Sequence, residues 1–288
     1  MIKVISQSSH TTVTMQIKLG CFTRPYGEHA LDRALKGIAS AGFGYVGLMH
    51  PGMLTPNMTR AEVVRLQEAL RLSHLVPLAT WGGLITDESG ISDFKKVIDI
   101  ARDLGVKNIL TAGPWPYLEG IIVRKPTSQW MREMDEFFKA MQAISPYAAD
   151  NGVEVALKPH AGITATAKEC LETMERIDSR SVRIWYDPGN VVFYEGLRPE
   201  DTSDDLRIIA DYVTGLCAKD IVGGRGGSIA APGKGKINFR EIFEVLREMG
   251  FKGPCVVETA VPEATPPEEI DALLRSSHGY LGGIAEQL

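Results

Sequence analysis

Residues 153–160 have the sequence VEVALKPH. It follows Gly152, a residue type that often closes a helix in the left-handed conformation. It is short, rich in branched apolar residues and ends on polar groups, as a buried parallel strand does. Three later stretches have the same form: RIWYDPGN (183–190), VTGLCAKD (213–220) and CVVET (255–259).

Amphipathic helical patterns separate such runs along the chain. The spacing i, i+3, i+4, i+7 recurs within residues 94–101, 134–141 and 242–249. Gly42, Gly105 and Gly250 end helical patterns as Gly152 does, and Thr59 with Glu62 predicts a capping box at a helix start. Strands are predicted near residues 17–22, 45–50, 76–80, 107–112, 153–158, 183–187, 214–219 and 254–259.

Eight strands that alternate with helices predict an α/β protein with a single (β/α)8 TIM barrel and a parallel eight-stranded core. The barrel domain is expected over residues 16–288, and residues 1–15 are interpreted as a disordered N-terminal arm or an upstream start. An open doubly wound sheet is the competing fold. It is disfavoured because the first strand is not followed by a GxGxxG phosphate turn.

Charge, apolar runs and cysteine spacing argue against a nucleic-acid-binding, membrane-spanning or disulfide-rich protein. The 288 residues carry a net charge of −5, so bulk charge gives no support to nucleic-acid binding. No apolar run approaches the roughly 18 residues that a membrane span requires. The four cysteines contain no CxxC pair, which favours a reducing, cytoplasmic location.

Polar side chains at the predicted strand ends form the candidate site. Lys158, Asp187, Cys217 and Glu258 fall at equivalent heights on the last four strands. Strand alternation turns all four inward, and His160 would share that parity one step higher, as would Lys219. Because TIM-barrel chemistry takes place at the C-terminal ends of the strands, we expect these residues to converge there.

The sequence resembles the xylose isomerase-like barrel superfamily, the sugar phosphate isomerase/epimerase group (AP endonuclease family 2) that also includes endonuclease IV. The resemblance covers about residues 17–285. It rests on GFGYVGL, LKPH, DPGN, the KD after the seventh strand, PGKGKINF and GFKGPCVVE, in that order. It implies a homo-oligomeric enzyme, a dimer or tetramer, that acts on a small sugar or keto-sugar. The DNA-repair members need a multi-metal cluster built from many His and carboxylate ligands, whereas this chain has six His, of which His29, His74 and His278 fall on predicted helices or their flanks. No nucleic-acid or membrane partner is therefore expected.

The resemblance also implies a divalent metal (Mn, Mg, Co or Zn) held by Glu, Asp, His and Glu from the last four strands. In this chain Asp187 and Glu258 match, but Lys158 and Cys217 stand at the other two positions. A retained metal would be held by Asp187, Glu258, His160 and Cys217. Alternatively, the Lys158 ammonium stands where the cation stood and stabilises an oxyanion, with no cofactor. Both alternatives stay open at this point.

The resulting hypothesis is a sugar or keto-sugar isomerase/epimerase-like enzyme that transfers a proton, or eliminates, next to a carbonyl. Glu258 would be the base, Lys158 the electrostatic stabiliser and Asp187 the group that orients the lysine. His160 would protonate or bind substrate oxygens. Loss of the strand-five Glu favours isomerisation or elimination over two-base epimerisation. The alternatives are a non-catalytic sugar-binding subunit and a Schiff-base aldolase or dehydratase that uses Lys158.

Further side chains are candidates for substrate binding. Aromatic faces after the third and fourth strands could stack on a sugar ring, and an arginine in the long segment 221–237 could bind a phosphate or carboxylate. The alternatives are aromatic closure of the barrel mouth and a solvated charged loop. The candidates are His50, Trp81, Trp115, Asn190, Lys219 and Arg225, with Tyr117 beside Trp115.

Overall fold

The structure is a computed structural model that describes residues 17–85, 88–116 and 125–288. The arm predicted at residues 1–15 and the side chain of Tyr117 lie outside the described residues.

Eight parallel strands close into a barrel, as the sequence predicts. They are β1 (Lys18–Phe22), β2 (Tyr45–Leu48), β3 (Val76–Trp81), β4 (Asn108–Thr111), β5 (Glu154–Leu157), β6 (Val182–Tyr186), β7 (Val213–Ala218) and β10 (Pro254–Val257). Each strand pairs with the next one along the chain, and β10 pairs with both β7 and β1. The register Cys21↔Val257 closes the circle. The predicted TIM barrel is therefore confirmed.

Helices cover the outside of the barrel. They are α1 (Leu31–Ser40), α2 (Arg60–Ser73), α3 (Glu88–Leu104), α4 (Thr127–Asp150), α5 (Ala167–Ile177), α6 (Thr202–Ile208), α7 (Phe239–Glu248) and α8 (Pro267–Glu286). The capping box forms at the start of α2, where Glu62 N donates to the Thr59 side chain and Thr59 N donates to the Glu62 carboxylate. Gly105 and Gly152 follow α3 and α4 with φ of +76° and +65°, which explains glycine at the helix ends. No described helix has the length and apolar character of a bilayer-spanning segment.

The lower part of the barrel interior is packed with apolar side chains. We call this set the apolar layer; it consists of Phe22, Ala79, Leu110, Ala156, Trp185, Cys217 and Val256, all fully buried. Since strand side chains alternate, the residues two positions further along β5, β6, β7 and β10 also face inward, one level higher. The apolar layer thus forms a dry floor for whatever lies above it.

The segment 221–237 contains a hairpin outside the barrel sheet. Its antiparallel strands are β8 (Asp220–Val222) and β9 (Ser228–Ala230). The buried Asp220 carboxylate accepts hydrogen bonds of 2.8–3.0 Å from four backbone N–H groups, those of Ile221, Gly233, Gly235 and Ile237. A Cβ at Gly235 would lie 2.2 Å from Asp220 Oδ1, so this close approach requires glycine. Asp220 therefore fixes the base of the hairpin.

Candidate active site

Two lysines and two carboxylates form a closed set of ion pairs at the C-terminal end of the barrel. Lys158 Nζ lies 3.0 Å from Asp187 Oδ2 and 2.5 Å from Glu258 Oε2. Lys219 Nζ lies 3.0 Å from Asp187 Oδ2 and 2.9 Å from Glu258 Oε1. All four side chains are at most 3% exposed. We call them the charged ring.

The charged ring stands directly on the apolar layer. Each member lies two residues beyond an apolar-layer residue of the same strand: Ala156 precedes Lys158, Trp185 precedes Asp187, Cys217 precedes Lys219 and Val256 precedes Glu258. The sequence predicted Cys217 at the level of Lys158 and Lys219 one step higher, but Cys217 pairs with Val256 in the apolar layer, so Lys219 is level with Glu258. The strand alternation read from the sequence thus delivers all four charges to one place.

Arg24 joins the charged ring, although nothing in the sequence analysis singled it out. It lies two residues beyond the end of β1 at Phe22, and its Nη1 donates to Glu258 Oε1. Its side chain is 41% exposed, far more than the four ring members. The signal that could have found it is its position, because it is the first charged residue after a barrel strand.

The charge state of the ring is set by its opposite neighbours. Burial disfavours the charged forms of Lys158, Glu258 and Asp187, but the facing charges outweigh it. They raise the pKa of Lys158 well above its ordinary value and hold the pKa of Glu258 well below its own, with a smaller lowering for Asp187. Arg24 adds a third cation to two carboxylates, so the cluster carries one positive charge in excess.

The DPGN turn after β6 serves two purposes at once. Asp187 Oδ1 accepts from the backbone N–H of Asn190 at 2.9 Å and caps the turn, while Oδ2 faces the two lysines. The Asn190 side chain accepts from Lys219 Nζ at 2.7 Å and donates to the carbonyl oxygen of Pro159 at 2.7 Å. The turn therefore holds the charged ring in position as well as shaping the backbone.

His160 is an uncharged imidazole above the ring. Asn190 Nδ2 lies 3.3 Å from its Nδ1, and Tyr194 Oη lies 3.4 Å from its Nε2. Its ring is edge-on to Trp115, with centroids 4.8 Å apart. Burial and the positive charges of Lys158 and Lys219 lower the pKa of His160 to about 3. Because Asn190 Nδ2 donates, Nδ1 accepts, and we infer that the proton sits on Nε2.

A cavity of about 580 Å³ opens above the charged ring. The predicted residues that line it are His50, Trp81, Trp115, Lys158, His160, Asn190, Lys219 and Glu258. The sequence analysis missed the remaining lining residues, which are Arg24, Met49, Met53, Leu84, Phe193, Tyr194 and Ile229. A larger groove of about 910 Å³ runs between α1 and α2, but none of the strand-end polar residues lines it. The candidate active site is therefore the smaller cavity.

Two predicted binding residues lie away from the buried centre. The His50 side chain is 71% exposed at the rim, with Nε2 3.9 Å from Glu28 Oε1. Arg225 is exposed on the turn of the hairpin, where its side chain approaches Gly196, and it is not among the cavity-lining residues. Substrate binding by Arg225 stays a prediction.

Asp187, Cys217 and Glu258 form a group with donor atoms within 4.8 Å of one another, which is the spacing of a metal site. These residues do not fit a resident divalent cation. Both carboxylates already pair with the ammonium groups of Lys158 and Lys219, which would repel the ion. Cys217 Sγ donates to Glu258 Oε2 at 3.1 Å, and burial raises the pKa of this thiol well above its ordinary value, so the thiolate ligand is disfavoured.

The family model described as "Xylose isomerase-like TIM barrel" matches residues 35–277. The chain belongs to this family. Inosose dehydratase from Geobacillus thermodenitrificans (strain NG80-2) is 25% identical over 254 residues, which cover 81% of this chain and 83% of that protein.

Two solved structures extend the comparison of the fold. D-psicose 3-epimerase with D-tagatose, from Clostridium cellulolyticum H10, has a TM-score of 0.74 at 15% identity and covers 94% of this chain and 100% of its own. A xylose isomerase-like TIM barrel protein from Mycobacterium smegmatis in complex with magnesium has a TM-score of 0.70 at 15% identity, over 98% and 99% of the two chains. These structures share the barrel. The family confirms the resemblance read from the sequence, and the relatives' names agree with the expected isomerase-, epimerase- or lyase-like enzyme.

Proposed function

We propose that this member of the xylose isomerase-like family eliminates water from a keto-sugar by removing a proton next to the carbonyl, with the charged ring in place of a metal. The observation that carries the proposal is the pair of buried ammonium groups between Asp187 and Glu258, at the strand ends where the family resemblance places a cation. The dehydratase named among the relatives supports the same reaction class.

Lys158 is the proposed electrostatic catalyst. It lines the cavity, and its ion-pair partners among the described residues, Asp187 and Glu258, use two of its three N–H donors. The third can bond to the substrate carbonyl oxygen and stabilise the enolate that forms when the neighbouring proton leaves. Above a dry apolar floor, one such donor contributes about 10²–10³-fold to the rate.

Glu258 is the proposed base. Its carboxylate is ionised at neutral pH because Lys158, Lys219 and Arg24 hold its pKa well below its ordinary value despite burial. The same cations weaken it as a base. When the substrate carbonyl oxygen also bonds to the Lys158 ammonium, the hydrogen bond from Lys158 to Glu258 weakens, and the Glu258 carboxylate becomes more basic. His160 binds the departing hydroxyl in this scheme: its neutral imidazole lines the cavity, with Nε2 3.4 Å from Tyr194 Oη, and can donate a hydrogen bond. The proton that Glu258 removes passes to the departing hydroxide, which leaves as water and returns Glu258 to its ionised form.

Elimination fits this set of residues better than two-base epimerisation. The strand-five position that would carry a second carboxylate holds Lys158, so the described cavity wall offers Glu258 as its one carboxylate. A Schiff base on Lys158 requires a neutral amine. The facing carboxylates instead raise the pKa of Lys158, in spite of burial, and keep it charged.

The test compares wild type with Lys158→Met, and with Lys252→Met as an exposed control. We expect wild type to dehydrate inosose or a related keto-sugar, with rates unchanged by EDTA, and Lys158→Met to lose at least 100-fold while circular dichroism shows it folded. Full activity of Lys158→Met, or activity lost to EDTA and restored by Mn²⁺, contradicts the proposal. A borohydride-trapped mass adduct on Lys158 would favour the Schiff-base alternative.

A non-catalytic sugar-binding subunit is the second candidate. It is favoured by the complete pairing of both ring carboxylates with cations, which leaves no strong base in the described cavity. Such a subunit would show a ligand-dependent rise in melting temperature and no exchange of solvent deuterium into any keto-sugar tested.

We also propose that the chain acts in the cytoplasm as a homo-dimer or tetramer. All four cysteines are buried thiols, a state that suits a reducing compartment. Light scattering on the purified protein measures the assembly, and a monomer at micromolar concentration would contradict this part of the proposal.

A further inference from the structure

The charged ring is electrically balanced until Arg24 is added. Lys158 and Lys219 offset Asp187 and Glu258, so Arg24 is the source of the excess positive charge. No further carboxylate of the described residues pairs with this cluster. His160 does not alter the balance, because burial and the two lysines keep its imidazole neutral.

The exposed part of Arg24 is available to a ligand. Only Nη1 has a recorded partner among the described residues, which is Glu258, while the guanidinium carries four further N–H donors. The side chain lines the cavity and is 41% exposed. A planar guanidinium with free donors on one edge matches a carboxylate bidentately.

The position of Arg24 relative to Lys158 indicates where such a carboxylate lies on the ligand. Arg24 donates to Oε1 of Glu258, and Lys158 donates to Oε2 of the same group. Two donors that are bridged by one carboxylate are also spaced to hold the adjacent oxygens of a 2-keto carboxylate. A phosphate at the far end of a sugar would lie several bonds away from the carbonyl that faces Lys158.

We infer that the site takes 2-keto sugar acids, with the substrate carboxylate held by Arg24 and the adjacent keto oxygen held by Lys158. This inference rests on the proposed function, because it names the substrate class of the same site. An anion of this kind neutralises the excess charge, whereas a neutral keto-sugar covers the half-exposed Arg24 and leaves its charge uncompensated.

The rival explanation is that the excess charge serves only the enolate that forms during the reaction. In that case a neutral keto-sugar and its acid would bind equally well before any chemistry. Equilibrium binding of unreacted ligands therefore separates the two explanations.

The experiment is calorimetric titration near pH 7 with three probes. 2-Keto-D-gluconate and D-fructose differ only at C1, which is a carboxylate in one and a hydroxymethyl group in the other. D-fructose 6-phosphate places its negative charge at the opposite end. The proteins are wild type, Arg24→Gln, Arg24→Lys and the exposed control Arg198→Gln, whose side chain is 70% exposed.

We expect wild type and Arg198→Gln to bind 2-keto-D-gluconate at least about 10-fold more tightly than D-fructose, the effect of one charge-assisted pair. In Arg24→Gln the ratio should fall to within about 2-fold. Arg24→Lys keeps the positive charge but loses the paired donors of the guanidinium, so its affinity ratio should lie between those of wild type and Arg24→Gln. If circular dichroism shows Arg24→Gln unfolded, a ratio at least 3-fold lower in Arg24→Lys carries the inference.

Several outcomes overturn the inference: equal affinities in wild type, a preference that survives in Arg24→Gln and Arg24→Lys, tighter binding of D-fructose 6-phosphate, or no binding of 2-keto-D-gluconate at millimolar concentration. The proposed function fails separately. Dehydration of a neutral keto-sugar without any acid preference refutes only the inference, whereas an Arg24-dependent preference without turnover of any ligand refutes only the reaction.

Discussion

Tyr186 and Asp187 are consecutive residues at the end of β6, and they lead to two buried carboxylate sites of opposite character. Asp187 faces inward to the charged ring. The hydroxyl of Tyr186 points outward and donates to Asp205 on α6 at 3.0 Å, where Ala167 N also donates to Asp205, at 3.2 Å. Both carboxylates are buried. Burial raises the pKa of Asp205 to about 6, while the facing lysines outweigh burial and lower the pKa of Asp187.

The barrel itself therefore does not make its buried acids ionised. At Asp205 two hydrogen bonds partly offset burial, but no cation of the described residues pairs with the carboxylate. At the charged ring the cations reverse the direction of the shift. The ionised state of Glu258 and Asp187, and with it any role in catalysis, depends on Lys158, Lys219 and Arg24.

The largest effect should come from making the charged ring resemble the Asp205 site. Lys219→Met removes one of the cations that face Glu258 and Asp187, and breaking a buried ion pair on one side lowers the free energy of unfolding by about 3–5 kcal/mol. Urea unfolding at pH 7 measures this loss in the free energy of unfolding. The exposed control Lys252→Met should change it by less than about 0.5 kcal/mol. Equal losses in the two variants would contradict the ring as a coupled unit.

Asp205→Asn should remove a pH dependence of opposite sign to that of the ring. The folded pKa of Asp205 is raised to about 6, so its stabilisation is present below the unfolded pKa near 4 and is lost as the pH rises through 6. The two-unit difference corresponds to about 3 kcal/mol. Asn cannot ionise, so the variant should lack this decline in urea unfolding between pH 4 and pH 7. An unchanged profile would show that Asp205 is not the titrating group.

Glu258 and Asp187 behave in the reverse sense, which allows the two sites to be separated in one pH series. Their folded pKa values are lowered, so their stabilisation is present above about pH 4.5 and is lost only as the pH falls further. The acid limb should therefore survive in Asp205→Asn.

Lys158→Glu tests whether the charged ring excludes metal ions. The substitution adds a carboxylate beside Asp187, Glu258 and Cys217 and removes one ammonium group. At 100 times the dissociation constant, Mn²⁺ should stabilise the variant by about 2.7 kcal/mol. The thermal melt of wild type should not respond to Mn²⁺. A similar response in both proteins would mean that the lysine does not keep the ion out.

Tyr186→Phe should have the smallest effect. It removes the hydroxyl that bonds to Asp205 and to the carbonyl oxygen of Thr202, at a cost of about 1 kcal/mol at pH 7. The charged ring should be untouched, so affinity for sugar ligands should match wild type. A change in ligand affinity would show that the outward and inward faces of β6 are coupled.

The sequence predicted the barrel and much of the candidate site because both follow from local rules. Glycines with positive φ ended helices at Gly105 and Gly152, and period-two alternation placed Lys158, Asp187 and Glu258 on one level. Arg24 also lies two residues beyond an inward-facing residue, Phe22 of the apolar layer. It was missed because it lies outside the predicted strand 17–22, in a 3-10 turn (Arg24–Tyr26), where alternation was not applied.

Long-range contacts were outside the reach of the sequence for a different reason. Tyr194 meets His160 because the chain after the DPGN turn forms an irregular helical segment (Val191–Glu195), whose path no simple period describes. Asp205 lies on α6 and accepts a hydrogen bond from Tyr186 at the end of β6. Neither the helical periodicity around Asp205 nor the strand alternation around Tyr186 predicts this contact. The register that pairs Cys217 with Val256 brings Lys219 level with Glu258, and no local pattern shows that register.

Asp220 anchors the hairpin segment by accepting hydrogen bonds from four backbone N–H groups. These four N–H groups belong to residues at the two ends of the segment, and the tip at residues 223–227 donates no hydrogen bond to Asp220. The tip is thus the part of the segment that can be rewritten while the anchor stays in place, provided that Gly235 and the 2.9 Å hydrogen bond from Gly226 N to the carbonyl oxygen of Phe193 are retained.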